Sequence, residues 1–267
     1  MNKFIVEDID KPLNLKLDPF AVSKNKSGKT VHIFYIAKQN DRIPRGANVV
    51  EGEIRLKDGL VLQPIPQMKT RDTIYVAGPS GSGKSTYVSK YTEMYEKMFP
   101  GNPIYLLSRV DDDDSLDKLN ITRIKINEEL VTNPLVPEDV ENSLVIFDDT
   151  DTIQDKNIRD SLTHFKNDLL ETGRHNNITV AITSHLINKS HETRTVINES
   201  QNYTFFPYSG STKAIKYLLS EYIGVEKSMI VRILNLDTRW VTIKKTYPMV
   251  VMYEKGFFFL HSKNDNQ

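Results

Sequence analysis

Residues 78–85 read Gly-Pro-Ser-Gly-Ser-Gly-Lys-Ser and satisfy the pattern G-x-x-x-x-G-K-[ST]. Glycines at such spacing let backbone N–H groups turn inward and approach phosphate oxygens closely. A helix beginning at the end of the loop adds the positive end of its dipole. The chemistry is a cradle for ATP with Mg²⁺, formed by Gly78, Pro79, Ser80, Gly81, Ser82, Gly83, Lys84, Ser85 and Thr86. Within it, Lys84 is expected to reach the β- and γ-phosphates and Ser85 to offer its hydroxyl to magnesium. A second cluster, LVIFDD at residues 144–149, ends an apolar run in two acids, the Walker B arrangement. Asp148 is expected to hold the magnesium through water, and Asp149 to orient or deprotonate an attacking water. The alternative for Asp149 is a helix N-cap or a turn acid, a capping job that Thr150, Asp151 or Thr152 can also do. His185 follows Thr183-Ser184 at the end of another apolar run. His185 or Ser184 is therefore a candidate contact to the γ-phosphate or the water, because ligands bind where parallel strands end. Arg174 lies past the helix that follows the acid pair. It is read either as an arginine finger completing a neighbouring subunit's site or as an exposed residue favoured at a helix C-terminus. Arg194 is the weaker candidate for the finger.

These side chains need a strand–loop–helix frame, and the pattern supplies one. Residues 73–77 (TIYVA) read as a buried strand before the phosphate loop. Val88, Tyr91, Tyr95 and Met98 mark one face of a helix over 85–98, stopped at Pro100-Gly101. Residues 104–107, 121–126, 144–147 and 178–183 read as further strands. The run LVIF is continuously apolar, as a parallel sheet covered on both faces requires. A helix lined by Ile158, Leu162, Phe165 and Leu169 ends at Gly173, and residues 127–142 read as a polar connection. Strands alternating with helices predict an α/β P-loop NTPase fold with a mostly parallel, doubly wound sheet.

The pattern differs at both ends. Residues 1–70 read as a β-rich N-terminal appendage, with strands at 31–37, 48–56 and 60–63 and loops at 24–29 and 42–46. Asp58-Gly59 reads as a hairpin turn. Residues 71–267 read as the ATPase domain, with a short β/α C-terminal extension from about 202. That extension contains a strand at 203–206, a helix at 211–222 and closing strands at 240–244, 249–253 and 257–261. Residues 263–267 are expected to fray.

The chain has 267 residues, with Lys plus Arg and Asp plus Glu balanced at 35 each. That balance argues against a protein that passively coats nucleic acid or membrane, while leaving room for a local basic channel. With no cysteine, disulfides, thiolate zinc sites and a Cys nucleophile are excluded. The N-terminal residues have acids and no apolar run, and no stretch approaches a membrane span, so a soluble protein in a reducing compartment, with no membrane partner, is expected. The acid run at Asp111, Asp112, Asp113 and Asp114 is read as capping a helix over 116–119. Leu116 and Thr122 stand where an EF-hand needs Gly and Glu. Lys189, Lys213, Lys216, Lys244 and Lys245 are candidates to line a DNA path, a solvated surface being the commoner fate of lysines.

The phosphate loop by itself also suits a nucleoside or nucleotide kinase, which is the alternative function. Three features disfavour it: the long segment before Thr73, the paired acids, and the lack of an arginine-rich lid. Taken in order, GPSGSGKS, YLLSRVDDDDSLD (105–117), LVIFDD, ETGRHNNITVAITSH (171–185), NYTFFP (202–207) and TRWVTIKKTYP (238–248) resemble the genome-packaging ATPases of poxviruses and giant DNA viruses, a branch of the FtsK–HerA superfamily. The resemblance implies a homo-oligomeric ring motor that threads double-stranded DNA into a capsid, with a capsid or portal component as a further partner. It implies a location in the virion or a viral factory in the host cytoplasm. It supports Lys84, Ser85, Asp148 and Asp149 in the roles above and points to Arg174 near the subunit boundary. Two positions depart from the family: many members carry Glu at Asp149, and Gln or Asn at His185.

Overall fold

The computed structural model describes residues 2–13, 15–110, 112–188 and 193–260. Asp111, Lys189, His261 and residues 263–267, all given readings above, lie outside the described residues. The first half runs β1 (Lys3–Asp8), β2 (Pro19–Lys24), β3 (Thr30–Ala37), β4 (Asn48–Val50), β5 (Glu53–Arg55), β6 (Val61–Pro64), β7 (Thr73–Ala77), α1 (Lys84–Met98), β8 (Ile104–Ser108), β9 (Thr122–Arg123) and α2 (Glu129–Thr132). Then follow β10 (Leu144–Asp148), α3 (Lys156–Thr172), β11 (Thr179–Ser184), α4 (Arg194–Glu199), β12 (Asn202–Phe205), α5 (Thr212–Tyr217), α6 (Lys227–Leu234), β13 (Val241–Lys244), β14 (Val250–Tyr253) and β15 (Gly256–Phe259).

Two sheets result. The large one has the order β5-β15-β14-β13-β12-β7-β11-β10-β8-β9. Its stretch from β12 to β9 is parallel throughout, and the strands beyond β12 are antiparallel. Successive side chains of a strand point to opposite faces, and both faces here are apolar. Tyr75 and Ala77 of β7 join the core under α3 and α4, while Ile74 and Val76 join the core under α1. Helices on both faces of a parallel sheet make this the doubly wound P-loop NTPase architecture. No helix among the described residues is long and apolar enough to cross a membrane.

The small sheet, β4-β1-β3-β2-β6, is antiparallel. It packs on β14 and β15 through an aromatic cluster. Phe4 stacks on Phe259 with ring centroids 3.8 Å apart and meets Phe257 edge-on at 4.7 Å. β1 and β2 carry Phe4 and Phe20 into this cluster; neither strand is evident from the sequence, because acids and Pro19 interrupt their patterns.

Several readings are corrected. Residues 48–56 are not one strand. Gly52, at φ +80°, breaks them, so that β4 pairs with β1 in the small sheet and β5 with β15 at the edge of the large one. Asp58-Gly59 is a turn but not a hairpin, since β5 and β6 belong to different sheets. Residues 121–126 shorten to β9, and the connection 127–142 contains α2 and a 3₁₀ turn at Pro137–Val140. The helix over 211–222 changes after Tyr217 to a π-helical turn, and α4 and α6 were not anticipated. The acids before Leu116 cap a turn rather than a helix, with Asp113 Oδ1 accepting from the Ser115 and Leu116 N–H groups.

Candidate functional site

The register of the parallel strands assembles the site. Ser108 ends β8 opposite Asp148 of β10, Thr183 lies near the end of β11, and Ser184 pairs with Ala77 just before the phosphate loop. Gly78 N–H donates to the Ser184 carbonyl at 3.0 Å, tying the start of the loop to the strand that carries His185. The loop then turns through Gly81 at φ +73° and Gly83 at φ +106°, conformations that L-residues rarely adopt. Gly78 has a different reason to be glycine: an added Cβ would lie 2.7 Å from both Phe206 Cδ2 and Ser82 Oγ.

Lys84 opens α1 and is 6% exposed. Its ammonium donates to the Gly78 carbonyl at 3.2 Å and lies 3.5 Å from Asp149 Oδ2. The same oxygen lies 2.9 Å from His185 Nε2. One carboxylate oxygen thus joins the loop lysine to the residue following β11. Asp149 adopts φ +47°, a left-handed conformation unusual outside glycine. Its N–H donates to Thr183 Oγ1 at 3.0 Å, which holds it there. Thr183 in turn donates to Asp148 Oδ1 at 2.7 Å, and Ser108 Oγ donates to Asp148 Oδ2 at 3.1 Å. Burial pushes the Asp148 carboxyl above the usual range and the charge of Asp149 adds to this, opposed by the Thr183 and Ser108 hydrogen bonds.

A cavity of about 540 Å³ is lined by Ser80, Lys84, Ser85, Thr86 and Asp149. Asp112, Asp113, Asp114 and Ser115 line it as well, so the acid run borders the site. Ser82 Oγ is buried with no hydrogen-bond partner among the described residues. No group of three or more His, Asp or Glu among them could cage a metal alone. The donor set fits Mg²⁺ delivered on a triphosphate, since that ion is held by one or two carboxylates with phosphates and waters.

Other candidates separate. Ser184 Oγ donates to Asp151 Oδ2 at 2.7 Å, so its hydroxyl is engaged elsewhere, whereas His185 reaches the cavity's Asp149 through Nε2. The N-cap of α3 is Asp155, which accepts from Ile158 N–H at 3.0 Å; Asp149 instead precedes a 3₁₀ turn at Thr150–Thr152, where its carbonyl accepts from Thr152 N–H at 3.1 Å and its side chain makes no capping bond. Arg174 is exposed in the turn after α3. Asn142 N–H donates to the Asn176 carbonyl of that turn at 2.9 Å, and β11 begins directly after it, which puts the turn where the parallel strands begin, the end opposite the phosphate loop. Arg71 donates to the Leu169 and Leu170 carbonyls nearby; burial, then the Arg174 charge, lowers its pKa. Lys244 is buried, and Lys245 donates to the carbonyls of Ile197 and Asn198, where burial brings its pKa down to about 8. Neither is free to line a DNA path, whereas Lys213 and Lys216 are exposed. Sequence reasoning missed Ser108 and Thr183 as partners of the acids. Their one visible signal was a hydroxyl residue at the end of each neighbouring strand.

No protein-family model matches the chain. The uncharacterized protein V3 of Sputnik virophage is 40% identical over 247 residues, covering 91% of this chain and 97% of that protein. Among solved structures, the genome packaging NTPase B204 of Sulfolobus turreted icosahedral virus 2 in complex with AMPPCP is similar at 12% identity and TM-score 0.46, over 72% of this chain and 98% of that one. The pCW3 conjugation coupling protein TcpA with ATPγS is similar at 14% identity and TM-score 0.43, over 92% and 78%. The chain belongs to the family of the Sputnik virophage protein V3.

Proposed function

We propose that this virophage-family protein is an ATP-hydrolysing motor that translocates double-stranded DNA and packages a viral genome into its capsid. The observation that carries the reading is the shared oxygen: Asp149 Oδ2 receives both Lys84 Nζ and His185 Nε2, and Lys84 and Asp149 both line the phosphate-loop cavity. A lysine paired with a carboxylate at that place is one that an arriving phosphate can take over.

The steps follow from these contacts. The triphosphate lies on the backbone N–H groups of residues 78–85, and Lys84 exchanges Asp149 for phosphate oxygens. Asp149, still held by Thr183 and His185, is then free to accept a proton from water. The water oxygen attacks the γ-phosphorus, the bond to the β–γ bridging oxygen breaks, and ADP and phosphate leave. Magnesium, when bound, would be held by Ser85 and Asp148 and neutralise charge on the phosphates. Arg174 lies too far from its own loop to act there, on the order of 15 Å along a strand rising about 3.3 Å per residue. Its exposure suits presentation to the site of the next copy in a ring. The resemblance to viral packaging ATPases supports a ring on double-stranded DNA, working with a capsid or portal component in the virion or viral factory. Residues 1–70 are proposed as an appendage to the ATPase domain at 71–267. DNA contacts would be to phosphates, salt-sensitive and indifferent to sequence.

The test is steady-state ATP hydrolysis with and without long double-stranded DNA, with Lys84→Ala as the blank. Turnover that rises with DNA and vanishes in the blank supports the motor. Turnover indifferent to DNA, together with phosphate transfer to an added nucleoside or nucleotide, replaces it with the kinase.

A further inference from the structure

A second cavity of about 240 Å³ borders the phosphate loop and includes none of the acids that line the first. It shares Gly81, Gly83 and Thr86 with the first, so the two cavities meet along the loop. Its walls come from at least four separate parts of the chain. Phe206, just past β12, Tyr87 of α1, Trp240, just before β13, and Leu62 and Gln63 of β6 in the small sheet line it.

The aromatic groups are fixed. Tyr87 is buried, with its hydroxyl bonded to Thr242 Oγ1 at 2.8 Å. Trp240 meets its ring edge-on at 5.3 Å between centroids and is itself only half-buried. Phe206 is 2% exposed and packed so closely on Gly78 that no side chain fits there. Polar groups at the rim are also held: Gln63 Nε2 donates to the Lys90 carbonyl at 2.7 Å, and Glu254 accepts from Arg239 Nε at 2.8 Å. An aromatic-walled slot with a polar rim, opening onto a phosphate cradle, has the chemistry of a site for a flat heteroaromatic ring joined to phosphates.

We propose that this cavity is the subsite for the base and ribose of the nucleotide, with Trp240 against the base and β6 closing the outer wall. The assignment rests on the phosphate-loop reading above. It gives the small sheet a share in holding nucleotide: residues long before the loop contribute a wall of the site.

Trp240 is the one tryptophan in the sequence, so fluorescence excited at wavelengths that tyrosine does not absorb reports on this cavity alone. The experiment compares Mg²⁺ with ATP, with ADP and with inorganic tripolyphosphate on the full chain, following Trp240 emission and acrylamide quenching. ATP and ADP are expected to change emission and to protect Trp240. Tripolyphosphate is expected to displace ATP while leaving Trp240 as accessible as in the free protein. In Trp240→Ala, ATP affinity, read by competition with a fluorescent-phosphate-labelled nucleotide, should fall about 5- to 150-fold, as loss of a base–aromatic stack does. Tripolyphosphate affinity should stay the same. Equal effects of ATP and tripolyphosphate on wild-type Trp240, or an unchanged ratio of their affinities in the variant, would put the base elsewhere and leave the phosphate-loop reading standing. Failure of wild-type protein to bind either ligand would overturn both. The wild-type comparison decides the matter even if Trp240→Ala does not fold.

Discussion

Thr183→Val removes one hydroxyl and keeps the shape of the side chain. That hydroxyl donates to Asp148 Oδ1 at 2.7 Å and accepts from Asp149 N–H at 3.0 Å, and Thr183 is 1% exposed, so water cannot easily replace it. A lost hydrogen bond to a charged group costs about 1.5–3 kcal/mol and an orphaned buried donor about 1–3 kcal/mol. Because one atom serves both, the losses overlap, and about 3 kcal/mol is the working figure. For a chain of this size that corresponds to a fall in Tm of about 6–12 °C. The kinetic effect comes through Asp149. A left-handed backbone conformation persists only while its surroundings hold it, and without the Thr183 contact the carboxylate can drift. A displacement near 1 Å costs about 10²-fold in rate, so kcat should fall by about that factor. Phosphate-loop contacts do not involve Thr183, so ATP affinity should hardly change. A pH profile separates this role from plain destabilisation. Losing the Thr183 donor raises the Asp148 pKa further, and since the ionised acid is the active form, the loss in kcat should deepen as pH falls. Thr183→Ser should restore both stability and rate. A variant with lowered Tm but unchanged kcat and pH profile would refute the reasoning.

Asp148→Asn should abolish hydrolysis yet stabilise the fold. The native pKa is raised, so ionised Asp148 imposes a stability penalty that is absent below its ordinary pKa and grows as pH rises through the folded value. The gain in Tm, about 2–4 °C per kcal/mol, should therefore widen from pH 4 to neutrality in thermal melts, and no gain at neutral pH would contradict the assignment of strain to that carboxylate. Gly78→Ala places a Cβ 2.7 Å from Phe206 Cδ2 and from Ser82 Oγ. Overpacking of this kind costs about 1–3 kcal/mol, and both Tm and ATP affinity should fall; an unaffected affinity would mean the loop tolerates displacement of Phe206. Arg174→Ala should bind ATP normally and lose about 10³–10⁵-fold in turnover, while a variant that turns over normally would remove Arg174 from the mechanism.

Contiguous residues determined much of this protein by themselves. The phosphate loop is legible because one short segment holds its glycines, lysine and serine, and because an apolar strand and an amphipathic helix flank it. LVIFDD is legible for the same reason: a strand buried on both faces must be apolar throughout, so two acids at its end stand out. The doubly wound order follows from that alternation of strands and helices. Tertiary structure alone decided which side chains meet. Ser108 and Thr183 reach Asp148 only because β8 and β11 flank β10 in one register, and strand periodicity says which face a residue occupies but not which strand lies beside it. Phe206, Trp240 and Gln63 line one cavity from distant stretches of sequence. Lys244 and Lys245 look like surface cations in sequence, yet burial beside Asp72 and the end of α4 claims them. A lysine's fate depends on whether a partner is waiting where the fold puts it, and that partner is set by packing across the chain rather than by its neighbours in sequence.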